Sequence, residues 1–294
     1  MMDRTDAAPD AERLLNMERL ITAMRERDLE GVVLCSANNV FYTSGFNGIA
    51  HKSDEPRPYA VVLSRHAPEE AILIVADYYV STLMVKPSWI EDIRSFRAVM
   101  LPLDLPASPN DIDRFIPQAG QPATWLETLR AGYADGLPSA CRQAMEDLKL
   151  TRGRVGFDDL RFGLGLSLDH VDVVDAYDPL MYARAVKTEP EFERLKAASA
   201  VNEAATLSAI RAWDKGMSWR EFNHAYHVAA IEAGGFVRDP GAMVWGHPRG
   251  SDPAITLQAG AEDFEMTPGL HVLFDCHGTA DMYCWDGGKT WIVD

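Results

Sequence analysis

Residues 270–278, Leu-His-Val-Leu-Phe-Asp-Cys-His-Gly, and 283–290, Tyr-Cys-Trp-Asp-Gly-Gly-Lys-Thr, are apolar, β-prone runs that each hold a carboxylate. The short link between them has room for little beyond a hairpin turn, so the pairing of these two runs constrains everything built around them. Asp275 and Asp286 lie 11 positions apart. A turn at Ala280-Asp281 makes paired residue numbers sum to 561 and sets the two aspartates directly opposite each other. Opposed carboxylates repel unless a cation lies between them. Hard divalent ions prefer oxygen ligands, so the pair is expected to hold a metal.

The chain has 294 residues, of which 47% are hydrophobic, enough for one large or two ordinary cores. Its net charge of −16 argues against nucleic-acid binding or an anionic membrane surface, both of which call for clustered Lys and Arg. No apolar run reaches membrane-spanning length, and the acidic start Met1-Met-Asp-Arg-Thr-Asp lacks the apolar core of a signal peptide, so the expected location is the cytoplasm. Cys35 and Cys141 read as buried small residues. Cys276 and Cys284 fall on opposite faces of the hairpin and are not expected to form a disulfide.

An apolar stripe over residues 11–29 predicts a helix, and Gly31–Ser36 predicts a buried strand. Asn38–Phe46 reads as a loop with short extended pieces. Strands are expected at Tyr59–Ser64, Ala71–Ala76 and Arg154–Phe157, with helix over most of 123–150. This alternation predicts an α/β domain with a mixed sheet, ending near Asp178-Pro179. Thr188 and Glu191 have the spacing of a capping box, with Pro190 in the first turn of a helix running to about Trp213. Ser218 caps a second helix that ends at Gly234-Gly235. Strands follow at Ala242–Trp245, His271–Cys276 and Met282–Val293. Two helices followed by strands predict an α+β layer over residues 179–294, after an α/β domain over 1–178.

In this order the segments resemble the creatinase, prolidase and aminopeptidase P family of pita-bread proteins. Met17–Leu34 and Asn39–Phe46 resemble the opening of its N-terminal domain, and Arg184–Leu195 resembles the start of its catalytic domain. Thr267-Pro-Gly-Leu-His-Val-Leu-Phe-Asp275 and Tyr283-Cys-Trp-Asp286 resemble the two strands that carry the family's first two metal aspartates. The resemblance implies a creatinase-like α/β domain and an α+β pita-bread domain. It also implies a metal-dependent hydrolase that cleaves an amide bond with metal-activated water, in the manner of an Xaa-Pro aminopeptidase or dipeptidase. Asp275 and Asp286 would be metal ligands for two divalent ions, Mn²⁺ first, with Co, Zn or Fe as alternatives. The substrate would be a small molecule or short peptide, and the assembly a homodimer.

Three departures qualify the resemblance. Lys289-Thr290 stands where the family has Arg-Thr, so a point-like ammonium replaces a planar fork. The peptidases carry a substrate-facing His shortly before the first Asp, but Thr256-Leu-Gln-Ala259 holds none. That difference favours a non-peptidase alternative, a creatinase-like or ectoine-hydrolase-like C–N hydrolase or a lyase. A non-catalytic pita-bread binding module is the alternative of another class. Third, the family's remaining ligands, a His and two Glu, follow the second Asp, whereas no Glu occurs here after Glu265. The chain is therefore read as a C-terminally truncated form with an incomplete second domain. Its general-base Glu is expected beyond Asp294, and the chain itself is expected to be inactive. Phe274, Trp285 and Trp291 are expected to be partly uncovered. His247, beside Pro248 and Arg249, and His277, two residues after Asp275, are candidate substrate contacts, and His277 could also touch the metal. His224 and His227 read as surface or core-edge residues.

Overall fold

Val32, Val33 and Leu34 alternate between two buried faces of one strand, which marks the middle of a covered sheet. In the computed structural model this strand, β1 (Leu29–Leu34), lies inside a six-stranded sheet. The model describes residues 12–48, 58–98, 111–116, 125–250 and 263–294. The chain divides into two compact units, Met1–Thr188 and Glu189–Asp294.

The first unit has α1 (Met17–Glu26), α2 (Ala37–Ser44), β2 (Tyr59–Ser64), β3 (Ile72–Ala76), α3 (Val80–Val85) and β4 (Asp92–Phe96) around β1. It continues with α4 (Leu126–Ala131), α5 (Leu137–Asp147), β5 (Gly153–Phe157), α6 (Leu160–Gly165), β6 (Val171–Asp175) and α7 (Tyr177–Arg184). The strand order is β4-β3-β2-β1-β5-β6. β1 pairs antiparallel with β2 and parallel with β5, so the sheet is mixed, as the alternation of helices and strands implied. β4 and β6 add to the strands expected from sequence.

Two differences from the sequence reading have physical causes. Asn38–Phe46 was expected as a loop, but Ala37–Ser44 is helical. The Asp158 carboxylate lies at the N-terminus of α2 and accepts from the backbone N–H of Cys35 (2.8 Å) and Ser36 (3.0 Å) and from Asn39 Nδ2 (3.0 Å). An anion there complements the helix dipole, and burial of Val40, Phe41 and Tyr42 outweighs the modest helix propensity of Asn and Thr. The second difference is the division at Thr188, ten residues after the boundary expected at Asp178-Pro179. Helix α7 belongs with the first unit because α1 holds it. Arg19 donates from Nε (3.0 Å) and from Nη2 (2.9 Å) to the Tyr182 carbonyl, and its guanidinium stacks 4.0 Å from the Tyr182 ring centroid.

The second unit is built from α8 (Glu189–Ala212), α9 (Trp219–Glu232), β7 (Phe236–Pro248), β8 (Leu270–Ala280), β9 (Tyr283–Gly287) and β10 (Thr290–Ile292). Ser218 caps α9 as expected. Its hydroxyl accepts from the Glu221 N–H at 3.2 Å, and the Glu221 carboxylate accepts from the Ser218 N–H at 2.8 Å. The strands form an antiparallel sheet in which β8 pairs with β7 on one side and with β9 and β10 on the other. Along β8 the even residues Leu270, Val272, Phe274, Cys276 and Gly278 are buried, and the odd residues are partly or fully exposed. The buried face packs with Ala198, Ala205, Phe222 and Tyr226 of the helices, so Phe274 is only 1% exposed and Trp285 5%. The expectation that these two would be left uncovered is thus wrong: α8 and α9 cover them.

Candidate metal centre

The hairpin turns at Asp281-Met282, one residue later than expected. Both residues have positive φ, 45° and 71°, as a two-residue turn of the primed kind requires. Pairs in β8–β9 therefore sum to 563 rather than 561: His277 faces Asp286, Gly278 faces Trp285 and Ala280 faces Tyr283. β10 keeps the same sum, with Thr290 opposite Leu273, so Asp275 falls opposite Gly288 and not opposite Asp286. The packing explains the choice. A Cβ added at Gly278 would come within 2.0 Å of the Trp285 ring, so the indole lies in space that only glycine leaves open. A Cβ at Gly288 would come within 2.2 Å of the Phe274 carbonyl oxygen, a second place where the strands approach too closely for a side chain.

A shift of one residue in the turn moves the partner by two positions, so the faces are preserved. Asp275, His277 and Asp286 all project from the face opposite the helices. Asp275 and His277 are half-buried, and the Asp286 side chain is 77% exposed. His277 stands between the carboxylates, with Nδ1 3.2 Å from Asp286 Oδ1 and Nε2 3.7 Å from Asp275 Oδ1. One ligand atom from each of the three lies within 4.8 Å of the others. Two oxygens held by one divalent cation are separated by at most about 4–5 Å. The three side chains therefore fit one such ion after a small adjustment, and two carboxylates with an imidazole suit Mn, Fe, Co or Zn alike. They do not by themselves supply enough donors for two ions.

His247 lies on β7 directly opposite His271 of β8, with ring centroids 6.4 Å apart. It shares the face of Asp275. Because it pairs with a residue four positions before Asp275, it is displaced along the sheet by roughly 13 Å, and the structure does not bring it into the cluster. The stretch Thr256–Ala259, singled out for lacking a histidine, lies outside the described residues. Lys289 pairs with Glu203 of α8 at 3.2 Å, an exposed contact of little energetic consequence. Burial, together with the neighbouring His224, lowers the pKa of His227 on α9, as fits a core-edge imidazole.

Contacts not foreseen from sequence hold β9 in place. Glu191, 2% exposed, accepts from the Tyr283 hydroxyl at 3.0 Å. Arg194 forms a close ion pair with Asp281 in the turn. Asn202 Nδ2 donates to the Gly287 carbonyl at 2.8 Å. A polar cavity of about 350 Å³, lined by Ser199, Asn202, Thr206, Asp286 and Lys289 among others, adjoins these contacts. The one signal available in the sequence was the position of Asn202 on the small-residue stripe of α8, three or four residues from Ala198 and Ala205, where a polar side chain needs a buried partner.

Residues 16–171 match the family described as the Creatinase/Prolidase N-terminal domain. That match spans more than half of the chain, and the chain belongs to this family. No curated protein matches it in a sequence comparison. Among solved structures it is similar to the Xaa-Pro dipeptidase from Bacillus anthracis, at 19% identity and a TM-score of 0.62, covering 95% of this chain and 64% of that one. It is also similar to the prolidase from Pyrococcus horikoshii OT3 (16% identity, TM-score 0.59, 95% and 65% covered). The X-Pro aminopeptidase from Thermotoga maritima MSB8 is a third (17%, TM-score 0.58, 94% and 64% covered). Identities this low show a shared fold, and the chain spans less than two-thirds of the length of each of these structures. Among the described residues, no helix is long and apolar enough to cross a membrane.

Proposed function

We propose that Asp275, His277 and Asp286 form part of the cation site of a metal-dependent amide hydrolase, with Mn²⁺ as the first candidate ion and Xaa-Pro peptides as the substrate class. The observation that carries this reading is the convergence of three ligand atoms within 4.8 Å on the open face of the sheet, in a chain of the creatinase/prolidase family. A bound divalent ion would supply Lewis acidity at the scissile amide and lower the pKa of water. The protein's own residues would hold the ion on the open face of the sheet. A cytoplasmic location and a homodimer belong to the same proposal.

Residues 287–294 include neither His nor Glu, so the further His and two Glu that the resemblance implies are not among them. The 294 residues are therefore expected to bind a divalent ion weakly and to hydrolyse no dipeptide. An assay with Mn²⁺ against Xaa-Pro dipeptides checks this, and robust turnover would mean that the reacting groups lie elsewhere. One observation favours a second reading, a C–N hydrolase acting on a small non-peptide substrate: residues 250–268 contain no histidine where the peptidases carry one. Extending the assay to small amidine and amide compounds tests that reading.

A further inference from the structure

Asp286 is flanked by a chain of hydrogen bonds that leaves β9 at Trp285 and returns at Gly287. Trp285 Nε1 donates to the Tyr226 hydroxyl oxygen at 3.2 Å. That hydroxyl donates to Asn202 Oδ1 at 2.9 Å. Asn202 Nδ2 then donates to the carbonyl of Gly287 at 2.8 Å. The chain thus grips residues 285 and 287, and residue 286 between them points to the opposite face, toward His277. Tyr226 is fully buried, and burial raises its pKa, so it keeps the proton it donates. Burial likewise pushes the neighbouring Cys276 thiol up to about 12.

We infer that Asn202 and Tyr226 are positioning residues for Asp286, holding its backbone at the register in which its carboxylate meets His277 and Asp275. The inference rests on the reading of Asp275, His277 and Asp286 as a cation site. Neither residue touches the cluster. Their effect runs through the Trp285 indole and the Gly287 carbonyl on either side of Asp286, and this polar path from α8 and α9 adds to the Glu191–Tyr283 and Arg194–Asp281 contacts that hold β9 and its turn. A ligand on an edge strand gains little from its own packing when its side chain is mostly in solvent, so the flanking anchors decide how often it is in place. Groups that orient a metal ligand typically change affinity by about 10- to 100-fold when removed.

The test compares Tyr226→Phe, which keeps the ring and removes the hydroxyl, with Phe222→Leu, which disturbs the same core without touching the polar chain. Mn²⁺ binding is read by electron paramagnetic resonance, and hydrogen exchange is followed at the amides of residues 283–289. We expect Tyr226→Phe to weaken Mn²⁺ binding about tenfold and to speed exchange in β9. Phe222→Leu should lower the melting temperature and leave the affinity unchanged. If Tyr226→Phe proves poorly folded, Asn202→Ser carries the same comparison. Unchanged affinity with loosened β9 amides would overturn the positioning role and leave the cation site standing. Equal loss of affinity in Phe222→Leu would overturn it too, by showing that any core damage suffices. Wild-type binding no stronger than that of Asp275→Asn/Asp286→Asn would remove the cation site and the inference together.

Discussion

Trp285→Ala is expected to destabilise residues 189–294 by about 3–5 kcal/mol, the range for removing a large buried aromatic side chain. The indole fills space above Gly278, and a Cβ at Gly235 would also come within 2.7 Å of it. Neither glycine has a side chain that could move into the space vacated. The substitution also takes away the donor to Tyr226, leaving a buried hydroxyl with one partner fewer. Urea denaturation followed by circular dichroism measures the loss. Because the chain has two units, the expected result is an early transition for the second unit while the first unfolds at its usual midpoint. A loss below about 1 kcal/mol would mean that the indole is not central to this core.

Asp286→Asn should have the opposite profile, a small effect on stability and a large one on ion binding. Its side chain is 77% exposed and lies beside an imidazole and a second carboxylate. Removing one negative charge therefore changes the stability of the ion-free protein by no more than about 0.5 kcal/mol. Ion binding is another matter, because an amide oxygen keeps the shape and loses the charge that a hard cation requires. The expected loss is about 100-fold in Mn²⁺ affinity, or about 2.7 kcal/mol. Isothermal titration calorimetry against the wild-type chain measures it. The comparison must be made between variants, since a chain of net charge −16 offers many weak sites for a divalent ion. Equal affinities would place the binding elsewhere.

The two aspartates could be placed on one face from sequence because the face depends only on the parity of the pairing. Putting the turn at Ala280-Asp281 rather than Asp281-Met282 changed the partner of Asp286 from Asp275 to His277 and left every side chain on its correct side. The true turn was hard to see because it uses a methionine at positive φ where Asn-Gly or Asp-Gly would have announced it. The deciding contact, Trp285 over Gly278, is a matter of cross-strand volume, which periodicity does not encode. Helix α2 was missed for a related reason. The carboxylate that caps it comes from Asp158, more than a hundred residues away. Of the polar chain through Asn202 and Tyr226, sequence offers only the need of Asn202 for a buried partner and not the partner itself, since the chain joins three elements whose spacing says nothing about their contact. What local sequence did encode was reliable: the Ser218 capping box, the alternation along β8, and the mixed α/β character of the first unit.

The central claim, that Asp275, His277 and Asp286 together hold a divalent cation, is tested most directly by growing crystals of the chain with Mn²⁺ and recording diffraction at the manganese absorption edge. The expected result is an anomalous peak on the open face of the sheet, between the two carboxylates and within about 2.0–2.6 Å of an oxygen from each. Peaks confined to other acidic patches, with the three side chains left as they are without the ion, would contradict it.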